Sequence, residues 1–421
     1  MMKPPTLARV IFMVAVLAGA ETAAPAAKDE RPTQFLMVNR IPGPGWGRGR
    51  PEPVRREAFE EIKRAFPEVP HSGLRVGVGF IFSHFRTADD ALLLASLRQV
   101  LALAEATDTP VLIQLDGENW WDARPDLWNW WDPASPGFNP ANRENVEWSG
   151  WTADQAVKLA WRNWGRQLRV RPPPNLMSPR YRQACHDKMA LLIPVVLQWW
   201  NALPAEKKEL LVGLKVGWES SIGVNAWYYP NGNDLLAKPA DDDPKHGKQV
   251  TELPARGVSQ IGYAAVKTAG LRAKGNITEA DLAEVVRRHL EDLSCEAARL
   301  GVPRDKLFTH GAGWKDGELL YQAAVNRFSC PGWSFYRHAA DPRKDAGVRK
   351  ALKRSDAPFW AATEWLLQGP REVKPWRQAL ENTLADPRCR YVCIFNWEGI
   401  RDSEPILEAI RQTLAAQRPR L

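Results

Sequence analysis

Cysteine is scarce. The 421 residues hold five, at positions 185, 295, 330, 389 and 393. An odd and scattered set excludes a dense disulfide scaffold. Cys389 and Cys393 flank one predicted strand and are expected on the same face, so one bridge or two buried free thiols are both open. Long apolar runs are lacking too. A membrane span needs about 20 residues, and past the N-terminal segment no run is long and apolar enough, so no transmembrane helix is expected in the mature chain. No repeat of about 20–50 residues is present, which argues against a solenoid or propeller. There is no HExxH, no cysteine pair at zinc-ligand spacing, no GxSxG elbow and no Walker sequence. Gly43, Gly45 and Gly47 in GPGWGRG lack the following helix start of a dinucleotide site and read as a loop. The seven His are scattered; His84 and His310 are expected to line a site rather than hold a metal. No metal or organic cofactor is implied.

Charge and tryptophan are abundant. Lys and Arg number 57 against 49 Asp and Glu, a formal net charge of +8. A nucleic-acid surface would gather that charge on one face. Here it is spread and interleaved with acids, so a solvated basic surface is expected and no nucleic-acid partner; an anionic glycan stays open. Lys3 and Arg9 precede the apolar stretch 10–20 (VIFMVAVLAGA), and Ala18-Gly19-Ala20 offers a small-residue cleavage site. This is the pattern of a secretory signal peptide. The expected division is a signal peptide at 1–20, a flexible lead-in at 21–33 and one domain at 34–421, exported to a periplasmic or extracellular space.

Short apolar runs alternate with helical patterns. Strands are predicted at 34–39, 74–83, 110–116, 210–219, 306–310, 332–336, 358–364 and 390–396. Several are near-continuous apolar runs, as strands buried on both faces are. Helices are predicted at 53–65, 87–106 with Thr87 as N-cap, 277–300 ending at Gly301, 341–354, 371–385 and 403–416. Eight strands with helical segments between them point to the α/β class and a (β/α)8 TIM barrel, with a doubly wound sheet as the alternative. Two connections are long. Residues 117–209 follow the third strand, with helical patterns near 152–169 and 178–202 and nine of the 20 Trp between 120 and 164. Residues 220–305 follow the fourth, with a polar stretch at 230–256. Both should wall a cleft at the C-terminal face, where barrel enzymes carry their sites.

Polar residues cluster at the predicted strand ends. Glu219 closes the fourth strand (GLKVGWE) and Glu364 the seventh (WAATE). A carboxylate closing an apolar strand is costly unless paired or functional. Both could be structural partners of nearby Arg, or an acid pair in one site. The layout resembles the retaining barrel glycoside hydrolases of clan GH-A. That resemblance implies Glu219 as acid/base, Glu364 as nucleophile, Tyr336 as a hydrogen-bond donor to the nucleophile, and Trp397 in IFNWEG as the floor of the catalytic sugar subsite. It also meets a departure. Members usually carry Asn before the acid/base, and here Trp218 stands there, leaving the sugar 2-hydroxyl contact unassigned.

Other candidates surround this pair. Asp116 and Asn119 in DGENWWD are read as hydroxyl binders or as loop braces. Trp120, Trp121 and Trp131 are the indoles expected to stack on sugar rings, the remainder packing the insertion. Arg86 could bind a hydroxyl, hold Glu364 or face solvent. Asn396 ends the eighth strand beside Trp397. Glu118, Asp122, Glu147 and Glu398 are the competing carboxylates, with Glu147 expected in a loop salt bridge. The expected activity is hydrolysis of a β-linked glycan. A non-catalytic carbohydrate-binding barrel, or an unrelated barrel lyase or metal-dependent hydrolase, are the alternatives.

Overall fold

The computed structural model describes residues 32–69, 73–248, 257–313 and 317–416. The expected signal peptide, most of the lead-in and the end of the polar stretch lie outside the described residues. Ten strands are described: β1 (Gln34–Arg40), β2 (Leu74–Ser83), β3 (Val111–Asp116), β4 (Ala160–Asn163), β5 (Gln167–Val170), β6 (Leu211–Ser220), β7 (Leu307–Gly311), β8 (Gly332–Phe335), β9 (Trp360–Trp365) and β10 (Cys389–Ile394). The helices are α1 (Glu57–Ala65), α2 (Asp90–Ala106), α3 (Pro125–Trp128), α4 (Pro179–Ala202), α5 (Tyr263–Thr268), α6 (Glu279–Arg299), α7 (Leu320–Ala323), α8 (Ala346–Arg354), α9 (Val373–Leu384), α10 (Trp397–Ile400) and α11 (Glu404–Ala416).

Eight parallel strands close in the order β1-β10-β9-β8-β7-β6-β3-β2, so the protein is a (β/α)8 barrel and not an open doubly wound sheet. All eight predicted strands are present with small shifts at their ends. The barrel interior changes character along its axis. Phe35, Met37, Leu112, Val212, Phe308, Tyr391 and Cys393 form an apolar layer. Polar side chains also lie buried among the strands, where Gln114 Nε2 donates to Asn39 Oδ1 at 2.7 Å. The second, larger core lies between barrel and helices.

Three expectations change. The α2 cap is Asp89, whose Oδ1 accepts from the amides of Ala91 and Leu92; Thr87 instead braces the Asp89 amide. Residues 152–169 are not helical. A 3-10 turn leads into the antiparallel hairpin β4–β5, whose backbone also exchanges both N–H···O bonds between Trp161 and Trp227. Cys389 and Cys393 do not share a face. Two residues of β10 span one of β9 between Cys389 and Tyr391, and this bulge breaks the alternation. Cys389 packs with the helix-side core and Cys393 with the barrel interior. All five cysteines are free, and only Cys295 is exposed.

Candidate active site

β6 does not end as a regular strand. Its pairing with β7 slips between Val216 and Ser220. Gly217 has φ 79° and Glu219 φ 45°, so two residues turn through the left-handed region. For a glutamate this costs on the order of 1–2 kcal/mol. The turn is clamped from outside by Glu118, whose Oε1 accepts from the Trp218 amide at 3.2 Å, Ser220 Oγ at 2.5 Å and His289 Nε2 at 3.1 Å. The clamp presents Glu219 at the mouth of the barrel, where Asn225 Nδ2 donates to its Oε2 at 2.9 Å.

Glu364 projects from β9 and accepts a hydrogen bond from Tyr336 Oη. Oxygens of Glu219 and Glu364 and a ring nitrogen of His310 all lie within 4.8 Å of one another. Three such donors suggest an ion, yet both imidazole nitrogens are engaged. Lys215 Nζ sits 2.6 Å from His310 Nδ1, and Nε2 lies 2.7 Å from Ser334 Oγ. An ammonium in that place opposes a divalent cation. A buried chain thus runs Lys215–His310–Ser334 and ends beside Glu219, whose Oε1 has no hydrogen-bond partner among the described residues.

Charge inside this pocket is tightly coupled. Burial pushes the Glu219 carboxyl up, opposed by the neighbouring Ser334 hydroxyl, the Asn225 hydrogen bond and the charges of Lys215 and Arg162. Burial and the neighbouring Glu219 push Glu364 up as well, opposed by Tyr336 and Lys215. Two carboxylates this close and this dry favour a state with one proton between them. Burial lowers Lys215 to about 7 and holds His310 well below its ordinary value, so His310 is the neutral acceptor of the Lys215 proton.

A cavity beside Glu219 is walled by both insertions: Asn119, Arg162 and Leu176 from the first, Ile222, Asn225 and Ala226 from the second. The Trp218 indole lines it, with Lys215 Nζ 3.4 Å from the ring centroid. Asn119 also lines it and donates weakly to the Trp218 carbonyl at 3.4 Å. Asp116 braces its own loop: Oδ1 accepts from the amides of Glu118 and Asn119 and Oδ2 from Ser83 Oγ. Trp120 is half-buried between two guanidinium groups, Arg86 at 4.6 Å and Arg162 at 4.9 Å from the ring centroid. Arg86 thus stacks on Trp120 and is not the partner of Glu364.

Trp121 lines the same cavity from a buried position, where it donates to the Pro172 carbonyl at 3.0 Å and packs on Tyr181. Several other expected site residues lie elsewhere. Trp131 packs against Trp128 and Trp130. His84 is buried under α4 with Tyr181, Cys185 and His289, away from the mouth, and burial lowers it to about 3. Trp397 turns out of the barrel to Phe66 and Arg40, because Asn396 caps α10 by accepting from the Gly399 amide. The aromatic ring that faces Trp218 from the end of β10 is Phe395, at 6.3 Å between centroids. Glu147 makes no loop salt bridge among the described residues; it lines the cavity beside Glu219 and faces the amides of Gly262, Ala264 and Ala265 at the start of α5. Glu398 accepts from the Ile41 amide, outside the cleft.

Sequence reasoning missed Lys215, Ser334, Asn225 and Arg162. For Lys215 a signal is present: a lysine inside a run buried on both faces must find a partner. Arg162 and Asn225 arrive from the two insertions and have no signal, and Ser334, on β8, is a single serine inside a predicted strand and carries none either.

No protein-family model and no curated protein matches the chain. Among solved structures it is similar to an agarase (11% identity, TM-score 0.40, 76% of this chain and 46% of that one). It is also similar to a GH5-4 broad-specificity endoglucanase from an uncultured bacterium (10%, 0.42, 87% and 86%) and a GH113 β-1,4-mannanase (9%, 0.38, 92% and 98%). The chain therefore spans less than half the length of the agarase. Likenesses this distant leave the barrel resting on its own strand order.

Proposed function

We infer that the protein is an exported glycoside hydrolase that cleaves a β-linked glycan with retention of configuration. The observation that carries this reading is the pair of buried carboxylates from β6 and β9, with oxygens within 4.8 Å across the mouth. A retaining pair stands about 5–5.5 Å apart, whereas an inverting pair leaves room for a water. In this reading Glu364 attacks the anomeric carbon while Glu219 protonates the departing oxygen. Water, deprotonated by Glu219, then displaces Glu364 from the glycosyl-enzyme. Tyr336 orients the attacking carboxylate, and Asn225 orients the acid. The titrating pair supplies one proton and one charge, which this cycle needs.

The two roles separate by rescue. Glu364→Ala loses activity on every substrate, and added azide restores turnover with inverted product. Glu219→Ala on a dinitrophenyl glycoside gives a burst followed by slow turnover, which azide accelerates with retained configuration. Wild-type turnover by Glu219→Ala on poor leaving groups would overturn the assignment. A non-catalytic glycan-binding barrel is the second reading, favoured by Trp218, which offers no amide to a sugar 2-hydroxyl. Glycan binding without hydrolysis of any aryl glycoside would select it. Export rests on residues 1–20, and a mature N-terminus at Glu21 is the expected mass-spectrometric result.

A further inference from the structure

A groove of about 630 Å³ opens at the barrel mouth over the loops that follow β1, β2 and β3. Arg48, Arg50 and Arg86 line it, together with the Trp120 indole. None of these three arginines forms an ion pair among the described residues. The only acid in the lining, Asp122, is answered by Arg171 at 3.4 Å. The groove therefore presents unbalanced positive charge beside an aromatic face.

One of these arginines is seated. Its guanidinium lies over Trp120 at 4.6 Å and fills the space a side chain at position 47 would take. A Cβ on Gly47 would stand 2.5 Å from Arg86 Nη1. Arg162 also lies on the Trp120 ring and lines the cavity of Glu219. Trp120 thus joins the arginine groove to the catalytic pair. A guanidinium already held in place loses little freedom when it grips an oxyanion with two parallel N–H bonds.

Resting on the hydrolase reading above, we propose that this groove is a subsite for an anionic sugar: a pyranose bearing a carboxylate or sulfate, its charge on Arg86, Arg48 and Arg50, with Arg86 held in place by the Trp120 indole.

Affinity electrophoresis tests this with no need of turnover. The gels contain a β-glucuronan, a sulfated β-galactan, or the neutral β-glucan and β-galactan backbones. Retardation by at least one of the two anionic polymers, weakening as salt is added, is expected. Arg48→Gln/Arg50→Gln/Arg86→Gln should bind it about tenfold more weakly. The control Arg98→Gln/Lys350→Gln/Lys353→Gln removes the same charge from exposed positions on α2 and α8 and should bind as wild type. Retention of one polyanion over the other assigns carboxylate or sulfate. Equal loss in both triple variants would reduce the effect to net charge and overturn the subsite. So would binding to the neutral polymers alone, or to none. Failure of the hydrolase reading looks different: anionic glycan bound through the three arginines, with no glycoside cleaved. Cleavage of neutral glycosides without polyanion binding would remove the subsite and leave the hydrolase.

Discussion

Lys215 shows how one side chain sets the charge of the pocket. Its ammonium lies in the barrel under Trp218 and lowers the proton affinity of both Glu219 and Glu364. In Lys215→Met both carboxyls move further up. Both limbs of the pH profile of kcat/KM should then shift to higher pH by about one unit; superimposable profiles would show that this charge does not reach the pair. Stability supplies a second readout. Burial lowers Lys215 from 10.5 to about 7, so between these values the folded chain binds fewer protons than the unfolded one. The wild type gains stability as pH rises through that window, and the variant should lack this rise. Two neighbouring indoles make the opposite pair. Trp121→Ala removes a fully buried side chain and should cost about 3–5 kcal/mol of stability in a denaturant titration. Trp120→Ala, at the half-buried ring between Arg86 and Arg162, should weaken glycan binding with a far smaller change in stability. Nothing in WWDARPDLWNWWDP distinguishes these indoles, because which ring is covered depends on where Pro172 and Tyr181 arrive from outside the motif.

Elements were legible where one local pattern decides them. Each barrel strand is an apolar run bounded by a break, and the strand-end positions of Glu219 and Glu364 follow from that. The hairpin β4–β5 was not legible. Its Ala, Gln, Leu and Arg residues favour helix, but Trp161 is locked in a backbone exchange with Trp227 and between Tyr228 and Tyr229. Gly165, with φ 91°, makes the turn. The end of β10 failed for a related reason: the strand stops at Ile394 and α10 starts at Trp397, which turns that indole outward. The β6 bulge is the element on which the site depends. Glu118→Ala would leave Ser220, His289 and the Trp218 amide without their acceptor, each loss worth about 1 kcal/mol or more. It should lower both the melting temperature and kcat. Unchanged kcat would show that Glu219 holds its place without the clamp. At α5 the sign is reversed. Burial raises Glu147 to about 8, so the folded chain binds its proton between 4.5 and 8 while the unfolded chain releases it. That contribution is present below 4.5 and lost as pH rises. Glu147→Gln should match the wild type near pH 4 and exceed its stability by up to about 3 kcal/mol at pH 7; equal stabilities at both would place the ionised form comfortably at the helix start.

At the scale of the whole molecule, the five thiols connect the proposed export with the barrel. A disulfide needs Cα atoms about 4.4–6.8 Å apart. Four residues along a strand cover about 13 Å, so Cys389 and Cys393 are too distant even before the β10 bulge turns them to opposite sides of the sheet. Four thiols are closed in apolar surroundings, and burial pushes Cys330 and Cys393 up to about 12 and Cys185 and Cys389 higher. Reactivity requires the thiolate and access to it, and only Cys295, on the outer face of α6, is exposed. The folded protein should therefore react with one equivalent of an aromatic disulfide reagent at neutral pH, and with five after denaturation. Cys295→Ser should abolish the fast phase while leaving the melting temperature within about a degree, as an exposed substitution does. A reducing agent should leave the wild-type melting temperature unchanged. Such a chain can pass into an oxidising compartment because its barrel, and no cross-link, holds it together. A drop in melting temperature on reduction, or fewer than five thiols after denaturation, would reveal a bridge that this barrel geometry forbids.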